Sequence, residues 1–167
     1  MWNRFWDVLA ALVIAFVITK ILIAPRLLSA PGIHPAPHAV YARLDGAPFK
    51  VADARGHTVF LEFYASWCEP CRIELPLVES WRRKHPDATI VPVDVGEGRA
   101  TAQEFARRYS LGDVALDPQN SAPALFGVQG LPTMVVIDSK GNVRAKWEGL
   151  NPAIALALNN AQKTLSR

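Results

Sequence analysis

Cys68 and Cys71 stand three apart in Tyr64-Ala65-Ser66-Trp67-Cys68-Glu69-Pro70-Cys71-Arg72, and they are the only two cysteines among 167 residues. Two are too few for a disulfide scaffold, and they make a four-ligand zinc site only with His or carboxylate added. A Cys-x-x-Cys pair suits dithiol exchange, in which one thiolate attacks a disulfide and the second resolves the mixed disulfide within the same molecule. Two inert readings compete, a pair of buried thiols and a permanent disulfide, and Trp67 and Pro70 beside and between the cysteines weigh against both. Soft thiolates also select Cu(I), which makes a copper-binding module the alternative of a different class. Such a site would gain from a methionine or histidine near the pair. His34 and His38 fall in a proline-rich stretch, His57 before a strand and His85 at a helix end, so none shares a face with the cysteines by spacing. No metal and no cofactor are expected.

The elements that must hold this pair are legible as periodicity. Thr58 to Tyr64, TVFLEFY, is β-branched and aromatic with one charge, Glu62, and reads as a strand buried on both faces; Thr89 to Val95, TIVPVDV, reads the same way. Between them Cys71 to Lys84 sets Ile73, Leu77 and Trp81 against Arg72, Glu79 and Arg82, the spacing of an amphipathic helix. The dithiol therefore sits where a central strand ends and a helix begins. There the unpaired amides and the helix dipole favour an anion, and hence a thiolate at Cys68. Thr101 to Tyr109 reads as a second helix with Thr101 and Glu104 spaced as a capping box, and Asn120 to Phe126 as a short third. Thr133 to Asp138 and Val143 to Glu148 read as a hairpin turning at 139–142, and Asn151-Pro152 opens a last helix running to about Leu165. This order points to an α/β class, a mixed sheet with helices on both faces.

With these elements in place, WCEPC after an apolar strand and GVQGLPT some way downstream resemble the thioredoxin superfamily, and most closely its membrane-anchored TlpA/ResA/CcmG-like branch. The resemblance covers about Leu44 to Leu165. LDGAPFKVADARGHTVFLEFYASWCEPC follows that branch's opening, and CEPCRIELP is close to its ResA-type members, Glu69 and Glu74 included. It implies a thioredoxin-like fold and thiol-disulfide oxidoreductase activity in which Cys68 attacks and Cys71 resolves. It further implies that Trp67, Glu69, Pro70, Leu131, Pro132 and Thr133 line the substrate site. Pro132 is implied to follow a cis peptide beside the dithiol, where neighbouring backbone pairs with the substrate chain.

Two acids then stand near the thiols. Glu62 occupies the position matching the buried acid of cytosolic thioredoxins, where many anchored members carry a neutral residue, and Glu74 follows Cys71 by about one helical turn. Either could take the proton from Cys71, since burial would raise a carboxyl's pKa toward a useful value. Glu74, which the ResA-like match carries over, is expected to tune the thiols, and Glu62 to act as a buried proton reservoir.

Upstream, Phe5 to Ala24 is apolar except for Asp7, Thr19 and Lys20 and would reach about 30 Å as a helix, one bilayer core. Residues 1–24 are expected to form an uncleaved membrane anchor, with a cleavable signal peptide as the alternative. Trp2 and Trp6 suit one interface, and Lys20 would snorkel to the other. Arg4 lies on one side and Lys20 and Arg26 on the other, so charge leaves the orientation open. Residues 25–40 hold prolines at 25, 31, 35 and 37 and read as a linker, followed by a thioredoxin-like domain over 41–167. Eighteen Lys and Arg against fifteen Asp and Glu give a net charge of +3 with the basic residues scattered, which argues against nucleic acid as a partner.

The expectation is a single-pass protein of the inner (cytoplasmic) membrane whose soluble domain faces the periplasm or cell exterior. Its partners would be protein disulfide or dithiol substrates, membrane lipid through the N-terminal helix, and a membrane thiol-electron donor of the CcdA/DsbD kind. The branch resemblance implies a reductant, with apocytochrome c thiols as one target. A dithiol oxidant or a copper-tolerance thiol reductase on the same scaffold is the alternative.

Overall fold

The computed structural model describes Trp6, residues 8–14 and residues 33–165. The chain divides into two units, Met1–Ala30 and Pro31–Arg167. In the first, residues 8–14 are helical. No helix among the described residues is long and apolar enough to cross a membrane. Most of the expected anchor, and residues 25–32 of the expected linker, lie outside the described residues.

Among the described residues the second unit has eight strands and four α-helices. In chain order these are β1 (His34–Pro35), β2 (Val40–Arg43), β3 (Pro48–Lys50), β4 (Val59–Tyr64), α1 (Glu69–Lys84), β5 (Thr89–Val95) and α2 (Arg99–Tyr109). They continue with β6 (Ala115–Asp117), α3 (Ala122–Phe126), β7 (Thr133–Ile137), β8 (Asn142–Glu148) and α4 (Ile154–Leu165). The strands form one mixed sheet in the order β1-β8-β7-β4-β5-β6-β2-β3, with β4, β5 and β6 parallel to one another and every other pairing antiparallel. From the stretch expected to be linker, His34 and Pro35 pair with Val143 and Asn142, so β1 is an edge strand, where a proline is tolerated.

β4 lies at the centre and is buried along its whole length. Its alternation splits the core in two. Val59, Leu61 and Phe63 join Val91, Val93, Val135 and Ile137 on one face, against Phe126 of α3. On the other face Phe60 packs with Val78 and Trp81 of α1 and Ile154 and Leu158 of α4, and Tyr64 packs with Leu75 of α1 and Ala102, Phe105 and Ala106 of α2. Two successive parallel crossovers step in one direction across the sheet, from β4 to β5 and from β5 to β6; a common right-handed sense places α1 and α2 on the same face. Helices thus cover both faces, three on one and the short α3 on the other.

Three helix starts differ from the sequence reading for reasons the structure shows. α1 starts at Glu69, because Cys68 is its N-cap and Pro70 fits the first turn, where its missing amide hydrogen costs nothing. The helix continues through Pro76. α2 starts at Arg99 with Gly98 as N-cap and no side-chain cap, so the capping box expected from Thr101 and Glu104 does not form. α3 starts at Ala122: Asn120 takes a φ of 54°, and Asp117 accepts from the backbone amides of Ser121 and Ala122, at 2.9 Å each.

Candidate active site

The carboxyl ends of the parallel strands β4 and β5 lie on the same edge of the sheet, the place where open α/β folds build their sites. The chain leaves β4 through Ala65, Ser66 and Trp67 and enters α1 at Glu69. Cys68 and Cys71 are joined by a disulfide. Cys68 caps the helix: the Cys71 amide donates to its sulfur at 3.2 Å, the same contact that would stabilise a Cys68 thiolate once the bond is reduced. Cys71 is fully buried and Cys68 is 4% exposed, whereas Trp67 just before the pair is 69% exposed. Glu69 and Pro70 are exposed on the first turn of α1. An apolar ring presented to solvent beside the disulfide offers an incoming chain a surface to cover.

Leu131 packs against the cluster that contains both cysteines, and the Leu131–Pro132 peptide is cis, as the resemblance implies. Pairing in β7 begins at Thr133, so the Leu131 backbone lies outside the strand ladder. The Pro132 carbonyl accepts from the Gly149 amide at 2.8 Å, and the Thr133 hydroxyl donates to the Gly130 carbonyl at 2.7 Å. Thr133 is fully buried and braces this loop from within. Leu131 is therefore the loop residue that joins the dithiol cluster, with Pro132 and Thr133 holding it in place.

The two acids are both buried but differ in their partners. Glu74 accepts a hydrogen bond from the Asn151 amide, which ties α1 to the segment entering α4. Burial raises its pKa and this bond partly offsets the rise. Glu62 projects from β4 between Met134 of β7 and Pro92 of β5, on the face covered by α1. Both of its carboxylate oxygens are without a hydrogen-bond partner. Burial first, and then the nearby charges of Glu74 and Glu79, push its pKa well above the usual carboxylate range. Glu62 therefore holds a proton where Glu74 has a partner for its charge.

Residues that the sequence reading did not single out complete the site. Ser66 is gripped on all its polar groups: its amide and hydroxyl both donate to the Glu97 carboxylate, and its carbonyl accepts from Nε and Nη2 of Arg72 at 2.9 and 2.7 Å. This clamp holds the loop that delivers Cys68. Glu97 follows β5 as the dithiol follows β4, and that shared carboxyl edge is the signal by which it could have been found. Beneath it Asp94 is fully buried, and burial together with the Glu97 charge pushes its pKa up to about 7. Asp94 is the register partner of Tyr64, whose buried phenol has no hydrogen-bond partner.

A disulfide at the N-cap of a helix, fed by the central strand of a mixed sheet and packed against a cis-proline loop, defines a thioredoxin-like α/β fold. The AhpC/TSA family model matches residues 33–146, and the chain belongs to that family. It is 34% identical over 112 residues to the protein named thiol-disulfide oxidoreductase ResA of Geobacillus thermodenitrificans, covering 65% of this chain and 64% of that relative. It is 32% identical over 111 residues to the ResA of Bacillus subtilis, covering 65% and 62%. The chain thus spans a little less than two thirds of these curated relatives. Among solved structures, a candidate thiol:disulfide interchange protein DsbE from Chlorobium tepidum superposes with a TM-score of 0.75 at 30% identity, covering 83% of this chain and all of that one.

Proposed function

We propose that the protein is a thiol-disulfide oxidoreductase that reduces protein disulfides outside the cytoplasm, tethered by residues 1–24. The observation that carries the reading is the Cys68–Cys71 disulfide capping α1 beside exposed Trp67 and the cis-proline loop. The similarity to the ResA relatives, which are named thiol-disulfide oxidoreductases, supports it.

In the working direction the reduced protein carries a Cys68 thiolate and a Cys71 thiol. The thiolate attacks one sulfur of a substrate disulfide, forms a mixed disulfide and releases the other sulfur as a thiolate. Cys71 then loses its proton and attacks Cys68 Sγ, which forms the Cys68–Cys71 bond and releases the second substrate sulfur. Two electrons have passed to the substrate, and the pair is left as the Cys68–Cys71 disulfide. Glu74, on α1 about one turn after Cys71 and with the Asn151 amide to support its charge, is the proposed acceptor of the Cys71 proton. Another turnover needs an external dithiol donor, for which a membrane carrier of the CcdA/DsbD kind is the proposed source. The disulfide of oxidised apocytochrome c, whose thiols must be free before haem attaches, is the proposed substrate.

Cysteine replacement tests the scheme. Cys71→Ser should accumulate a mixed disulfide with a substrate peptide, and Cys68→Ser should accumulate none. The reverse pattern would exchange the two roles. The reduction potential of the dithiol, measured against glutathione, decides direction: a value well below the compartment's poise means a reductant, and one above it an oxidant.

A further inference from the structure

The dithiol loop has a second open side. Ser66 and Arg72 form one wall of a cavity of about 220 Å³, and α2 forms the other with Thr101, Glu104, Arg108 and Tyr109. Ser66 precedes Cys68 by two residues and Arg72 directly follows Cys71, so the cavity and the redox motif share their wall. Its volume is below the usual range for a whole small-molecule ligand, about 300–1,000 Å³, and suits one or two side chains.

The charges lining it are unbalanced, two guanidinium groups against one carboxylate. Arg72 uses Nε and Nη2 on the Ser66 carbonyl, which fixes its plane and leaves Nη1 available. Arg108 and Glu104 are exposed and, although four residues apart on one helix, form no ion pair with each other or with any other described residue. The Ser66 amide and hydroxyl are already taken by Glu97, so the free donors here are the arginines and the Thr101 and Tyr109 hydroxyls. A guanidinium held in a fixed plane, with a second one nearby, suits a carboxylate, which accepts paired N–H bonds.

We propose that this cavity is a substrate subsite for an acidic side chain, an Asp or Glu flanking the cysteine that Cys68 attacks. The proposal rests on the dithiol reading and adds to it a preference in substrate sequence. Arg108 supplies attraction at the outer wall, Arg72 couples the bound carboxylate to the loop that carries Cys68, and Glu104 opposes both and limits the preference.

The test uses the prereduced full chain and three cyclic disulfide peptides identical except for a Glu, Gln or Lys beside the cysteine. The rate constant for peptide reduction is read at low and high salt. The wild type should reduce the Glu peptide about twofold to fivefold faster than the Gln peptide at low salt, the size of an exposed ion pair, and the gap should narrow at high salt. Glu104→Gln should widen the gap, Arg108→Gln should close it, and Arg108→Glu should reverse it in favour of the Lys peptide. Each comparison is the Glu-to-Gln ratio within one protein, so a change in general thiol reactivity cancels. Equal rates on all peptides, or a Glu preference that survives both Arg108 variants, would overturn the subsite and leave the dithiol reading standing. A wild type that reduces none of the peptides while dithiothreitol reduces all would overturn the oxidoreductase reading and the subsite with it.

Discussion

Glu62 and Glu74 show how one buried face treats two identical side chains differently. Glu74 has an amide to receive its charge, and Glu62 has none. Their titration has a definite sign. A carboxyl whose folded pKa is raised keeps its proton in the native state while the unfolded chain releases it. Stability therefore falls as pH rises from the unfolded pKa toward the folded one, by about 1.4 kcal/mol per pH unit for each such group. Glu62 contributes this slope above about pH 4.5, and Asp94 contributes it between about pH 3.8 and about 7. Glu62→Gln exchanges a neutral acid for a neutral amide of the same shape and removes its slope. The variant should show a higher thermal midpoint at pH 7 and a flatter decline from pH 5 to 7, as measured by calorimetry. A lower midpoint at pH 7 would mean that the carboxylate has a partner in solution. For the chemistry, Glu74→Gln should shift the thiol titrations and slow resolution of the mixed disulfide, because Glu74 is the acid expected to tune the thiols. If Glu74→Gln leaves both unchanged while Glu62→Gln slows resolution, Glu62 is the base for Cys71.

The helices divide the labour of holding those residues. α4 buries only Ile154 and Leu158, against Phe60, Val78, Trp81 and Met134, and Trp81 of α1 adds a hydrogen bond from Nε1 to Asn159 Oδ1 at 2.9 Å. Leu158→Ala should cost about 2–5 kcal/mol by chemical denaturation, and Asn151→Ala about 0.5–2 kcal/mol through loss of its side-chain bond to the Ala153 amide. Because Glu74 is held by the Asn151 backbone, Asn151→Ala should leave thiol titration unchanged, and a shift there would show that the side chain, too, serves the site. The same scale explains what the sequence revealed. β5 was legible over its full length, Thr89 to Val95, because an apolar β-branched run declares itself locally. The Thr101–Glu104 pattern had the spacing of a cap but not its place, since the chain leaves β5 through Gly96 at a φ of 75° and enters the helix at Arg99. The dithiol was legible as a four-residue motif. Its supports were not, because Ser66 meets Glu97 across 31 residues and Glu74 meets Asn151 across 77, and only the folded sheet brings them together.

For the whole molecule the question is where the dithiol works. Electrons cannot accumulate on one cysteine pair, so each turnover as a reductant must be matched by re-reduction. In a reducing cytosol soluble dithiols already perform that exchange, and a tether adds little. Outside the cytoplasm no such pool is at hand, and a donor embedded in the membrane meets a tethered domain far more often than a freely diffusing one. The apolar run from Phe5 to Ala24 has the length for such a tether. Arg4 on one side and Lys20 and Arg26 on the other leave its direction to be measured. Alkaline phosphatase fused after Arg167 should be active, since it folds only where its disulfides form. The fusion should stay in the membrane pellet after carbonate extraction and keep Met1 or Trp2 as its first residue. Recovery in the soluble fraction with a start near Pro25 or Pro31 would mean a cleaved signal peptide and a free periplasmic domain. An inactive fusion matched by an active cytoplasmic reporter at the same position would place Cys68 among the cytosolic thiols and remove apocytochrome c from its substrates.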